Sequence, residues 1–291
     1  MKRIVTLTAT LTLAAIAAAA AGLLGPSGDR AVAVDGASTV AAASTTPATT
    51  GPPTGPGPTA SGTTSGAEDT VELQRLIHRP GQQIPGTDTG RWSSMVDFMT
   101  WVEQDVAVVW NWYYGQWKYG IKSDAQLVFP LPDQRIATPC GPTDDRTMFY
   151  CPPNDTIYFS QALATALWQG TYVGPDGQRS TRLGGDFAVV TMLAHEYGHN
   201  VQQELGILGK GYQVARTEQM ADCLSGSFAR QAYYQNVLDP NDVTEGLNVA
   251  YMVGDSQFSN RDHHGTSAER VASWKLGYGS ASPSACWSIL G

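Results

Sequence analysis

Apolar residues run almost unbroken from Ile4 to Leu24, directly after Lys2 and Arg3, then nearly disappear before periodic patterns resume. The first stretch has the form of a secretory signal, a charged start followed by an apolar segment. Residues 1–33 are assigned to it, with cleavage after the alanine run ending at Ala21 or at Ala31-Val32-Ala33. Roughly 21 apolar residues also suffice to span a bilayer, so membrane anchoring through residues 4–24 is the second reading, weakened by Thr6, Thr8, Thr10 and Thr12. Residues 34–67 are Ala, Thr, Ser, Gly and Pro with almost no large apolar side chains, a composition that cannot offset the entropy of ordering. They read as a tether. Residues 68–291 suffice for one domain with its own core.

Within that domain the spacing changes from element to element. Met95, Phe98, Met99, Val102, Val106, Val109 and Tyr113 recur at helical spacing and predict a core helix from Trp92 to Trp117. Short β-like runs follow at Ala125–Phe129 and Thr156–Phe159, bounded by Pro, Asp and Asn. Phe187, Val190, Leu193, Ala194 and Val201 predict a helix from Asp186, as its cap, to Leu205, with Gly206 ending it. A second helical stretch contains Thr217 to Asp222. Asp239-Pro240 is expected to cap and begin a helix to about Val253, and a polar loop spans Asp255 to Gly265. Thr266 and Glu269 form a capping box for a last helix to Leu276, ended by Gly277.

A formal net charge of −8, with no basic stripe, gives nucleic-acid binding no support and suits solubility. The four cysteines all lie in the exported domain, where an oxidising compartment favours disulfides. Three pairings are possible. Cys140–Cys151 and Cys223–Cys286 are the pairs assigned: the first closes a short loop, and the second would tie the C-terminal tail beside Asp222.

Chemistry enters with His195-Glu196-Tyr197-Gly198-His199, which holds two of the five histidines. Residues four apart project from one face of a helix, so His195 and His199 can share one metal ion. Glu196, turned about 100° from His195, flanks the metal as a base toward water rather than binding it. A catalytic zinc usually has three protein ligands and an open position, which leaves two histidines one ligand short. Glu218, 19 residues after His199, completes the set, and Asp222 one turn later can orient one of the imidazoles. Two neutral imidazoles and one carboxylate leave about one net positive charge, enough to bring the pKa of water there toward roughly 7. A competing third ligand is Cys140 or Cys151.

The pattern H-E-x-x-H followed by E-x-x-x-D resembles the glutamate-ligand zincin metallopeptidases, and more narrowly the bacterial neutral zinc metallopeptidase family. The supporting strings are Ala194 to Gln202, Glu218 to Gly226, Phe149-Tyr150-Cys151-Pro152 and His264-Gly265-Thr266-Ser267, spread over about residues 93–287. Asn200 and Gln219-Met220 depart from the family pattern, which bears on substrate preference more than on the ligands. The resemblance implies an α+β, zincin-like fold, mostly helical, with a small sheet before the active-site helix whose edge strand binds an extended substrate. It implies one zinc ion held by His195, His199 and Glu218, with Glu196 as base. His264, in the family-like string, becomes the candidate stabiliser of the oxyanion. The expected activity is hydrolysis of a peptide or protein substrate by an exported enzyme. Two alternatives are a zinc-binding but idle envelope scaffold and a zinc hydrolase of another amide, such as one in the cell wall.

Overall fold

Ser94 accepts a hydrogen bond from the Asp97 N–H and so starts the first of the described helices, α1 (Met95–Trp117). The computed structural model describes residues 94–177, 184–260, 262–280 and 282–291. The signal and tether segments lie outside them, as does Trp92, where the sequence pattern begins this helix. Phe98, Met99, Val102, Val106, Val109 and Tyr113 are buried as their spacing predicts, and Trp110 and Tyr114 join them in the core.

Next comes a small sheet region. β1 (Gln126–Val128) is followed by a two-residue hairpin, β2 (Ala137–Thr138) with β3 (Gly141–Pro142), and then by β4 (Met148–Cys151) and β5 (Thr156–Phe159). The order is β1-β5-β4: β1 runs parallel to β5, pairing Gln126 with Thr156, and β4 runs antiparallel to it, pairing Cys151 with Thr156. β4 is therefore an edge strand. Sequence periodicity finds β1 and β5 but misses β4, because its four residues carry no polar alternation and run into Pro152-Pro153.

Four longer helices follow the short α2 (Gln161–Trp168): α3 (Asp186–Glu204), α4 (Val214–Tyr234), α5 (Asp242–Met252) and α6 (Ser267–Gly279). A 3-10 segment, Pro283–Ile289, closes the chain. α3 is central, with sixteen of its residues buried, and packs against α1, α2, α4 and α5. The result is an α+β domain, mostly helical, with its small sheet ahead of the central helix. Among the described residues no helix is long and apolar enough to cross a membrane.

Three helix ends differ from expectation. Asp186 is the first residue inside α3 rather than its cap, Gly185 taking that place. α5 starts at Asp242, with Asn241 as cap, because Asp239 is drawn into a turn: its N–H donates to Asp242 Oδ2 and its carboxylate accepts from the Asn241 N–H. Gly277 does not stop α6, which continues to Gly279. It is a packing residue: a Cβ there would fall 1.8 Å from the Cys223 carbonyl oxygen on α4. Gly206, at φ 64°, does end the central helix, and the capping box of Thr266 and Glu269 is formed.

Candidate metal centre

His195 and His199 project from one face of α3 toward α4, and Gly198 lets the two helices meet. A Cβ on Gly198 would lie 3.1 Å from Ala221 Cα and 3.2 Å from its carbonyl oxygen. That approach places Glu218 against both rings: its Oε2 is 3.2 Å from His195 Nε2 and its Oε1 is 3.3 Å from His199 Nε2. One donor atom from each of the three residues lies within 4.8 Å of the others.

The opposite ring nitrogens are also engaged. His195 Nδ1 is 3.0 Å from Asp222 Oδ1, and His199 Nδ1 is 3.1 Å from Gln202 Oε1. An ionised carboxylate and an amide oxygen only accept, so each Nδ1 carries the hydrogen and, in the neutral ring, each Nε2 offers its lone pair to the same spot. Gln202 cannot turn away, since its amide N–H donates to the Thr217 carbonyl at 2.7 Å. Asp222 is gripped by Arg270, which donates through Nε to Oδ2 and through Nη2 to Oδ1, while its Nη1 lies 3.2 Å from Glu218 Oε2. With 2% exposure, this guanidinium ties the third donor to the group orienting the first.

Two nitrogen lone pairs and a carboxylate, converging at this spacing, fit a tetrahedral zinc ion with one position left open. The electrostatics agree. Burial opposes charge on His195, yet Asp222 and Glu218 outweigh it and push its pKa up to about 10. His199 is likewise raised against burial by Glu218, and Glu218 is held well below the usual carboxylate range by His199, His195 and Arg270 despite its own burial. The cluster thus favours positive charge at the point where the donors meet.

Glu196 lies beside the donors, 4% exposed, and its Oε2 accepts from the Tyr150 N–H at 2.8 Å. This contact fixes the base against β4, on the side turned away from β5. Of the two edges of the sheet, β1 and β4, it is β4 that borders the donors. Glu196 and β4 lie in a cleft of about 400 Å³ that is also bordered by Arg146, Phe149, Tyr172, Leu208 and His264. His264 stands apart from the donor set: its side chain is half-exposed, its Nδ1 is 3.5 Å from Asp255 Oδ2 and its N–H donates to the same oxygen at 2.9 Å. His263 bonds the other Asp255 oxygen.

Both assigned disulfides are formed. Cys140–Cys151 joins the β2–β3 turn to the end of β4, so neither cysteine is available as a third ligand; Cys223–Cys286 anchors α4 next to Asp222. Their presence fits an extracytoplasmic setting. Arg270, Gln202 and the Tyr150 N–H escape the sequence reading. Gln202 does lie within the family-like string, three residues after His199, which is the one signal that points to it.

Residues 73–289 match the family described as "Putative neutral zinc metallopeptidase". An uncharacterized protein of Mycobacterium tuberculosis is 29% identical over 244 residues, covering 74% of this chain and 80% of its own. The uncharacterized protein YpfJ of Escherichia coli is 31% identical over 160 residues, covering 47% of this chain and 52% of its own. No solved structure matches the chain.

Proposed function

Because this chain belongs to the neutral zinc metallopeptidase family, we propose that it is an exported, zincin-like hydrolase that cleaves peptide bonds with Glu196 as general base. One observation carries the reading: the Nε2 atoms of His195 and His199 meet the two oxygens of Glu218, and Glu196, beside them, is hydrogen-bonded to an edge strand.

Each residue has a part. His195, His199 and Glu218 would hold the zinc ion, and Asp222, Arg270 and Gln202 keep their donor atoms aimed at it. Zinc, when bound, supplies Lewis acidity that polarises a carbonyl and acidifies water. An extended peptide adds to the outer edge of β4 by main-chain hydrogen bonds to the groups that Glu196 does not already hold, which carries its scissile carbonyl past Glu196. Glu196 takes a proton from the attacking water and returns it to the departing amine nitrogen. His264, at the rim of the cleft, is the proposed donor to the developing oxyanion. Export is proposed from the charged and apolar start of the chain, in keeping with the two disulfides.

Glu196→Gln tests the reading. It preserves shape and the contact to Tyr150 while removing the base, so zinc content should stay at one per chain and peptide-library cleavage should fall by at least about 100-fold. Chelated wild-type protein should be inactive and recover on zinc addition. Cleavage that survives in the Gln variant overturns the mechanism. Bound zinc with no cleaved peptide favours the idle scaffold, and release of amino-sugar fragments favours the cell-wall amide.

A further inference from the structure

Away from the zinc donors, the first turns of α3 and α5 bring three carboxylates together. Asp186, Asp242 and Glu245 are 7%, 2% and 6% exposed, and one oxygen from each lies within 4.8 Å of the others. Their hydrogen bonds do not neutralise them. Asp186 Oδ1 and Glu245 Oε2 share the Phe187 N–H, each at 3.1 Å, and Asp242 Oδ2 accepts from the Asp239 N–H at 2.8 Å. Asp242 Oδ1 is buried with no hydrogen-bond partner among the described residues. Among the described residues, no Lys, Arg or His forms an ion pair with any of the three.

Three carboxylates out of water, met only by the backbone N–H groups of Asp186, Phe187, Ala188 and Asp239, are costly unless protons or a cation discharge them. Burial first, then the neighbouring acids, raise all three: Asp186 to about 6, Glu245 to about 7 and Asp242 to about 8. At neutral pH protons do only part of the work. An ion that binds oxygens at about 2.3–2.6 Å holds them no more than about 5 Å apart, and one oxygen from each of the three lies inside that limit.

We propose that Asp186, Asp242 and Glu245 form a second metal site, for a calcium-like divalent cation, that ties the start of α3 to the start of α5. The donor set contains only oxygen, so it selects a hard cation and not a second zinc. Three carboxylates can offer up to six oxygens, matching the coordination of calcium, whereas magnesium keeps several waters that a buried cluster has little room for. Gly185 belongs to the arrangement, because a Cβ there would fall 2.1 Å from both Glu245 oxygens. Only glycine lets that carboxylate fold over the helix start.

The experiment is calcium titration of the full chain at saturating zinc and pH 7.5, followed by calorimetry and by thermal melting, with neither readout depending on cleavage. Wild-type protein should bind one further equivalent and its Tm should rise by roughly 5 °C or more. Asp242→Asn should lose both effects and, without calcium, melt at or above wild type, because it relieves the repulsion. Glu245→Gln repeats the test should the first variant fold poorly. No binding and no shift at about 10 mM calcium, beyond the weakest class of protein calcium sites, overturns the site. So does a calcium shift that persists in both variants, and an equal shift with magnesium overturns the choice of ion.

Discussion

Arg270 does at the residue scale what no local pattern announces. It reaches Asp222 across 48 positions of sequence and Glu218 besides, so the charge on two site carboxylates is answered from a different helix. Arg270→Met would leave Asp222 buried with only the His195 ring as partner, and breaking such a buried ion pair costs about 3–5 kcal/mol, read as a lower urea midpoint. Arg270→Lys should recover part of that but not the forked grip. Asp222→Asn isolates the orienting role: the side chain keeps its size, the imidazole loses its charged partner, and zinc affinity should drop about 10–100-fold in a chelator competition. An unchanged affinity would reduce Asp222 to packing. The site residues divide by how they are encoded. His195, Glu196 and His199, like Glu218 and Asp222, are legible because one helical turn sets their geometry. Arg270 comes from another element, and the Tyr150 contact uses a backbone N–H, which no residue type marks.

Between elements, glycine decides how close the helices come. Sequence reads Gly277 as a terminator, but its lack of a side chain serves the crossing of α4 and α6, which is invisible until both helices are placed. Gly198 makes the parallel case at the crossing of α3 and α4. In an isolated helix Gly→Ala would gain about 1 kcal/mol. At position 198 the new methyl would meet the Ala221 backbone, which cannot rotate aside. Gly198→Ala should therefore push α4 outward, lower zinc affinity and give up the propensity gain; tighter zinc binding would show that α4 is free to adjust. The junction of α3 with α5 makes a prediction about pH. An acid whose folded pKa is raised stabilises the fold below its unfolded pKa, near 4, and loses that contribution as pH rises through the folded value. With Asp186, Glu245 and Asp242 raised to about 6, 7 and 8, unfolding free energy without added divalent cation should fall between pH 4 and 8. Asp242→Asn should flatten the upper part of that slope, measured as the wild-type minus variant difference in urea melts. Parallel curves would remove the cluster from the pH response.

Across the whole molecule the two disulfides divide the labour of holding the site. Cys140–Cys151 closes 11 residues and pins the end of β4, the strand proposed to receive substrate. Cys223–Cys286 closes 63 residues and pins α4 beside Glu218, the proposed third zinc donor. In the chain-entropy model these loops are worth roughly 3 and 4 kcal/mol. For a domain of this size, losing the longer one lowers Tm by about 8–16 °C, and the shorter one by somewhat less. Stability alone would make the two bridges interchangeable, but their positions do not. Removing Cys223 and Cys286 together, as Ser, should weaken zinc binding, because α4 loses its anchor next to Asp222. Removing Cys140 and Cys151 should leave zinc affinity near wild type and raise KM for peptides, because the loosened element is the one proposed to pair with substrate. Zinc titrations and steady-state kinetics on both double variants separate these outcomes. Equal losses of zinc in the two proteins would mean that the cleft softens as a unit.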